Sequence, residues 1–438
     1  MTLSSAVLRA AAREADALRG VRVVIDARPM QEPERGPLTA EYLDHLLAAF
    51  AREPLDGESF VVISRALRPD PSDDLERAGL PIVGRRRLPP TSRAFRSAGM
   101  TLDSFLLRGA EFGATTGDDA EPAVFHTAGG AVPVASRLPI VATLLDLAPW
   151  ELPGIYASSA AARFGHRLRA RVLRDATRVI VCSRSVAETA RRRLHLPAER
   201  LAVVPLAVDE SFRAAGRQPD LVRDTRERLA LPDRYLLFAG RYDARKDMRT
   251  LFEALRIVRD RNLMGTETAG RGRRASGNGR HASIPAFVFA VAHGAQDEFD
   301  LVARAIDRSG VSELVKLVVP TDATERAQVI AGAEAFVYPA LSEATALPVL
   351  EALSLGVPVV CTRAGALPEV VASAGIVVAP RDPNRLAAAI EAVWEGGSLA
   401  QGLRSQAHRR AEATTRTWSD VARETREVYA AAARTGSK

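Results

Sequence analysis

Residues 338–369 read YPALSEATALPVLEALSLGVPVVCTRAGALPE, and the punctuation of that stretch dictates its local structure. Pro348 suits the first turn of a helix, where its missing N–H would have had no partner. Gly356 suits the residue just past the helix end, and Pro358 prevents continuation. A helix over Leu347–Leu355 follows, with apolar strands at Ala335–Tyr338 before it and Val357–Cys361 after it. Strand, loop, helix and strand at this length form a βαβ unit, the repeating element of a parallel sheet. In such a unit the loop Ala340–Ala346 and the helix start lie beyond the carboxyl ends of the strands. Unpaired N–H groups and the positive end of the helix dipole favour an anion there. Glu343 in the loop and Glu351 in the helix can face one side, and a carboxylate accepting two hydroxyl donors suits the vicinal diol of a ribose. Two solvated surface glutamates would show the same spacing.

Working outward, short β-branched runs alternate with helical patterns along most of the chain, which predicts an α/β protein. Val21–Ala27, Phe60–Ser64, Val124–His126, Ile140–Leu144, Val179–Ser183 and Leu201–Pro205 read as the strands of one doubly wound, Rossmann-like domain. Tyr235–Gly240, Ala286–Ala292, Val315–Val319, Ala335–Tyr338, Val357–Cys361 and Gly375–Val378 read as those of a second. The polar stretch 209–233, with Pro219 and Pro232, reads as a linker between domains at 1–208 and 234–415. Residues 264–283 are rich in Gly and Arg and read as a flexible surface insertion.

The chain has 438 residues, 47% hydrophobic and 26% charged, which fits two buried cores and disfavours disorder. No apolar run approaches the roughly 20 residues a membrane span needs. The charged residues of Met1–Gly20 argue against a secretory signal, so a cytoplasmic protein is expected. Cys182 and Cys361 each sit in an apolar run and read as buried strand thiols. The net charge of +7 permits contact with phosphates or an anionic membrane surface, whereas no interleaved aromatic and basic motif supports nucleic-acid binding. Arg163, Arg167, Arg169, Arg171, Arg174 and Arg178 form an arginine-rich helical stretch that would suit peripheral contact with an anionic membrane.

A second informative stretch is LLFAGRYDARK, residues 236–246. A strand ends at Gly240 and hands over to a charged loop in which Arg241 and Lys246 can clamp a diphosphate. Only Lys246, Lys316 and Lys438 are lysines in this arginine-dominated chain, so a lysine here is more informative than an arginine would be.

These residues carry a family resemblance spread over both halves. SEATALPVLEALSLGVPVVCTRAGALPEV, FAGRYDARKD, VVIDARP and VPLAVDESF together resemble the retaining GT-B glycosyltransferases of the GT4 family, glycosyl transferases group 1. TRTWSDVARETREVY resembles that family's final helix, which implies that residues 416–438 pack back on the N-terminal domain. The resemblance implies two Rossmann-like domains facing across a cleft, with the acceptor on the first and a nucleotide-diphosphate sugar on the second. It implies transfer of a hexosyl group of mannose or glucose type, with retention, in polysaccharide or glycolipid synthesis. Residue by residue, Glu351 matches the ribose ligand, Glu343 the catalytic glutamate near the donor sugar, and Gly240, Arg241 and Lys246 the diphosphate loop. Ala344, Thr345, Ala346 and Leu347 match the backbone that meets sugar and phosphate, and His126 matches a histidine that reaches the transferred sugar. The scheme needs no protein nucleophile, no cofactor and no metal; Asp146 and Gly36 are further candidates, and Asp146 and Asp175 are the single carboxylates left open as metal ligands.

The chain also departs from the family pattern. Glu343-Ala344-Thr345-Ala346 stands where Glu-Gly-Phe-Gly is usual, Leu145-Asp146 where His-Asp is common, and Gly36 is followed by Pro37 and Leu38. Those departures keep open a degenerate transferase-like scaffold or sugar-nucleotide-binding protein without turnover.

Overall fold

The computed structural model describes residues 20–89, 99–109, 123–129, 131–270, 284–291 and 296–436. Two compact units divide the chain, one running to Leu206 and resuming at Thr417, the other spanning Ala207–Arg416.

The first unit holds β1 (Arg22–Asp26), β2 (Ser59–Arg65), β3 (Ile82–Leu88), β4 (Ala123–Ala128), β5 (Ile140–Leu144), β6 (Arg178–Val181) and β7 (Leu201–Val203). All pair parallel in the order β3-β2-β1-β4-β5-β6-β7. The central strands are buried along almost their whole length, with apolar residues at their middles, because helices cover both faces of such a sheet. β3 was not expected from the sequence. Its residues IVGRRRL alternate between half-buried and exposed at the sheet edge, so it lacks the apolar run that marks the inner strands. The helix Trp418–Gly436 belongs to this unit, where Trp418 stacks on His45 and Arg426 pairs with buried Glu58 at 2.7 Å.

The second unit holds β8 (Leu236–Ala239), β9 (Phe287–Ala290), β10 (Val315–Val318), β11 (Ala335–Tyr338), β12 (Val359–Thr362) and β13 (Gly375–Val378), all parallel, in the order β10-β9-β8-β11-β12-β13. Counted from its own first strand, this order matches that of the first unit, and both are Rossmann orders. In each, strand order reverses beside the first strand, which here falls between β8 and β11. Cys182 and Cys361 are buried and not joined in a disulfide, and burial pushes the Cys361 thiol up to about 12.

Two expectations are corrected. Residues 209–233 are not a linker: helices Glu210–Gly216 and Pro219–Arg228 are part of the second unit. Phe212 is buried there, and Thr225 Oγ1 donates to Gln328 Oε1 at 2.6 Å. The polar composition misled because few side chains face inward, and Pro219 opens a helix rather than breaking one. The expected insertion at 264–283 is instead helical through Gly270, as the end of the helix Met248–Gly270; residues 271–283 lie outside the described residues.

His126 is also corrected. It lies within β4 rather than at its end, paired in register with Ile25 and Val141. Its side chain is fully buried, with Nε2 2.9 Å from Thr143 Oγ1 and Nδ1 2.7 Å from the Tyr429 hydroxyl. Both ring nitrogens are spent in the core, so the imidazole is a structural bridge to the Trp418–Gly436 helix rather than a group that reaches a sugar. Burial drives its pKa from 6.5 down to about 3, against a weaker upward pull from Asp26. The unfolded chain therefore binds a proton that the folded one refuses between these values, and stability contributed by the neutral ring is full above about 6.5 and lost as pH falls. Denaturant unfolding at stepped pH should show a loss in that window that is steeper in wild type than in His126→Gln, by up to about 1.4 kcal/mol per pH unit.

Candidate active site

The residues of the quoted stretch gather at the reversal point of the second sheet. Beyond β11 the chain forms the loop to Ala346, then the helix Leu347–Ser354 with Pro348 in its first turn. Glu343 lies at the centre. Its carboxylate is buried, with Oε2 accepting from Lys246 Nζ at 2.6 Å and from the Tyr338 hydroxyl at 2.9 Å. Oε1 faces the Thr345 hydroxyl at 3.2 Å and the Ala346 N–H at 3.2 Å. Lys246 Nζ also donates to the Tyr338 hydroxyl and lies 4.3 Å from the centre of its ring. Burial pushes the Glu343 pKa up, but Lys246, Arg245 and the donated hydrogen bonds outweigh it and bring it to about 2. Burial lowers the Lys246 pKa and Glu343 opposes the shift, so the pair is stable as ions only because each charge has the other. The glutamate expected as catalytic is thus turned inward with its lone pairs occupied: it organises the loop.

The loop conformation explains the alanines. Ala346 precedes the helix with φ +54°, a left-handed setting that normally favours glycine, and its methyl is fully buried. Gly365, at φ +49°, passes so close that a Cβ would stand 1.9 Å from the Glu343 carbonyl oxygen; that carbonyl accepts from the Ala366 N–H at 2.8 Å. Thr345 and Ala346 direct their N–H groups at Glu343, which leaves the N–H groups of Ala344 and Leu347 without an acceptor among the described residues.

Across the reversal point, β8 is followed by Gly240, whose φ of +148° requires glycine. Arg241 is half exposed, with Nε 3.3 Å from Glu298 Oε2, and Glu298 also takes the Tyr242 N–H. A short turn Ala244–Lys246 then brings Lys246 back under Tyr338. Glu351, buried on the helix, is held by Arg326 Nη2 at 2.5 Å. Tyr338, Glu298 and Arg326 were not singled out from the sequence. Tyr338 stood in the quoted stretch at a strand end, whereas Glu298 and Arg326 come from helices Gln296–Arg308 and Ala323–Ala331 and carry no local signal.

The remaining candidates lie in the first unit. Asp146 Oδ1 accepts from the Ala148 N–H at 2.8 Å and shapes the turn after β5. Gly36 precedes the helix Pro37–Arg52, its carbonyl accepting from the N–H groups of Thr39 and Ala40. Asp175 is exposed at the end of the helix Ala160–Asp175. In the arginine-rich stretch Arg169 is turned inward, 5.0 Å over the Trp150 ring, and Arg178 belongs to β6, so the stripe is shorter than expected. Among the described residues no helix is long and apolar enough to cross a membrane.

Two Rossmann-ordered parallel sheets in one chain define the class: a tandem α/β protein of GT-B fold. Known families agree. Glycosyltransferase Family 4 matches residues 39–212 and Glycosyl transferases group 1 matches residues 223–410, and the chain belongs to the GT4-type glycosyltransferases. The O-antigen chain mannosyltransferase B of Escherichia coli is 26% identical over 243 residues, 54% of this chain and 56% of that protein, so the chain spans little more than half of that relative's length. Sucrose-phosphate synthase from Thermosynechococcus elongatus shares the fold with TM-score 0.64 at 19% identity, over 92% of this chain and 96% of that one. HepE of Anabaena, solved in complex with UDP-glucose, gives TM-score 0.60 at 15% identity, over 93% and 98%.

Two substitutions probe the loop. Gly365→Ala drives a methyl into backbone and should cost more than about 3 kcal/mol in thermal or denaturant unfolding. Tyr338→Phe removes only the hydroxyl between two buried charges and should cost about 1–3 kcal/mol.

Proposed function

We propose that the chain is an active retaining glycosyltransferase that moves a hexosyl group of mannose or glucose type from a nucleotide-diphosphate sugar to a glycan, lipid or small-molecule acceptor. The observation that carries this reading is the juxtaposition, at one reversal point, of buried Lys246 with the two unpartnered N–H groups of Ala344 and Leu347. A diphosphate leaving group gathers negative charge as its bond to the sugar breaks, and preorganised donors in a dry site stabilise that charge most. Lys246 spends two of its three N–H donors on Glu343 and Tyr338, which leaves one for a phosphoryl oxygen. Arg241, half exposed on its loop, supplies a second cation, and Glu351, oriented by Arg326, accepts from the ribose hydroxyls.

In this scheme the new bond forms on the face that the diphosphate leaves, and a phosphate oxygen of the leaving group takes the acceptor proton. The protein holds the donor, positions the acceptor and neutralises the leaving group, so no protein nucleophile or metal enters the reaction. Glu343 acts through Lys246 and the loop. The UDP-glucose complex of HepE and the mannosyltransferase relative support a nucleotide-sugar donor of this kind. A cytoplasmic enzyme that meets its acceptor at an anionic membrane would use Arg163, Arg167 and Arg171, beside the exposed Phe164.

The inward-turned Glu343 and the two alanines favour one other reading, a nucleotide-sugar-binding protein without turnover. Calorimetry against UDP, GDP, ADP and their sugars decides between them when combined with product analysis. One nucleotide should bind, at least about tenfold more weakly in Lys246→Ala and in Glu351→Ala, and its sugar should be consumed at an undiminished rate in EDTA. Binding without sugar consumption would establish the non-catalytic reading, and no binding by folded protein would defeat both.

A further inference from the structure

A cavity of 410 Å³ opens in the first unit at the amino ends of β5, β6 and β7, the edge of the sheet opposite the one where ligands of such folds are taken up. Its wall includes Arg137, Asp175, Thr177, Arg178, Arg200 and Thr435, drawn from the segments that enter those strands and from the end of the Trp418–Gly436 helix.

Two of these arginines are fixed in place and lack a counter-charge. Arg178 Nη1 donates to the Thr177 carbonyl at 2.9 Å. Arg200 Nη1 donates to the Arg174 carbonyl and lies 3.4 Å from that of Ala176, so it caps the end of the helix Ala160–Asp175. Among the described residues no carboxylate pairs with either guanidinium. Each uses one N–H edge to anchor itself to backbone and keeps the rest of its fork for another acceptor. Both anchor on the same turn, residues 174–177, so the two forks are held side by side on one wall. Asp175 is the acid on that wall, and with Thr177 and Thr435 it adds groups that bond hydroxyls rather than anions.

We propose that this cavity is a second binding site, for a small phosphorylated polyhydroxyl compound of the sugar-phosphate class. Arg178 and Arg200 take the phosphoryl oxygens in charge-assisted hydrogen bonds, and Asp175 accepts from hydroxyls on the ligand body. A free inorganic anion satisfies the arginines but leaves Asp175 unpaired and facing like charge, so the site should prefer a phosphate that carries a hydroxylated body. The volume lies at the lower end of the range of small-molecule sites, which fits a ligand of that size. The cavity lies at the amino ends of the first unit's strands and shares no residue with the donor site proposed in the second unit.

The test is calorimetric titration of the full chain with glucose 6-phosphate, inorganic phosphate and free glucose, and co-sedimentation with vesicles containing phosphatidylinositol phosphate, in wild type, Arg178→Gln, Arg200→Gln and Asp175→Asn. Arg178→Gln leaves the helix cap intact and separates loss of the site from loss of fold, which a thermal melt of each variant records. The expected result is saturable binding of glucose 6-phosphate, tighter than inorganic phosphate, with free glucose silent. Binding should weaken about tenfold in Arg178→Gln and in Arg200→Gln, while nucleotide binding is unchanged in both. Asp175→Asn should narrow the preference for glucose 6-phosphate over inorganic phosphate. Arginine-dependent binding to vesicles but not to the soluble sugar phosphate would assign the same phosphoryl chemistry to a lipid headgroup and overturn the soluble ligand. Equal binding in wild type and Arg178→Gln, or no saturable binding of any probe, would overturn the site itself.

Discussion

Everything at the reversal point of the second sheet hangs on one buried carboxylate. Glu343 is held by a lysine from the loop after β8, a tyrosine at the end of β11, and a hydroxyl and backbone N–H groups from its own loop. A charge this deep is tolerable only when every lone pair has a donor, and a half-satisfied cluster would be worse than an apolar one. The requirement propagates outward. Satisfying Glu343 pulls Ala346 into a left-handed backbone, brings its carbonyl against Gly365, and seats Lys246 beneath an aromatic ring. The loop is therefore shaped before any ligand arrives, and binding need not spend free energy on ordering it.

What could be read from the sequence follows from how local each signal is. Pro348, Gly356 and Pro358 act on their own turn, so the helix and both flanking strands were legible, as were the Rossmann-like halves built from apolar runs. That Glu343 and Lys246 reach the same edge was legible because each follows a strand end, and parallel strands deliver their ends to one edge. The direction in which Glu343 faces was not, since it depends on Tyr338 and Lys246 lying within reach of one carboxylate. Arg326 and Glu298 enter from helices remote in sequence and matter only through their partners.

His126 shows the same limit from the other side. A histidine near a strand end invites a functional reading, yet its position within β4 is settled by register against Ile25 and Val141, and its polarity is absorbed by Thr143 and Tyr429. The tyrosine comes from a helix some three hundred residues later in the chain. The buried polar bridge ties that last helix to the first sheet with a directional contact that apolar packing alone does not supply. Helices Glu210–Gly216 and Pro219–Arg228 escaped detection for the opposite reason: they bury so few side chains that their pattern is nearly all solvent-facing.

The arginines of β3 have one more consequence. An outermost strand presents a row of unpaired N–H and C=O groups, a template on which another chain can build. Arg85 and Arg87 stand along that border, paired to Asp73, Glu76 and Asp70 in exposed contacts that add little to folding free energy. Their value is colloidal: a foreign strand approaching this margin would have to strip water from a line of fixed charges before it gained its first hydrogen bond. The residues that disguise the strand are the ones that keep the sheet from growing.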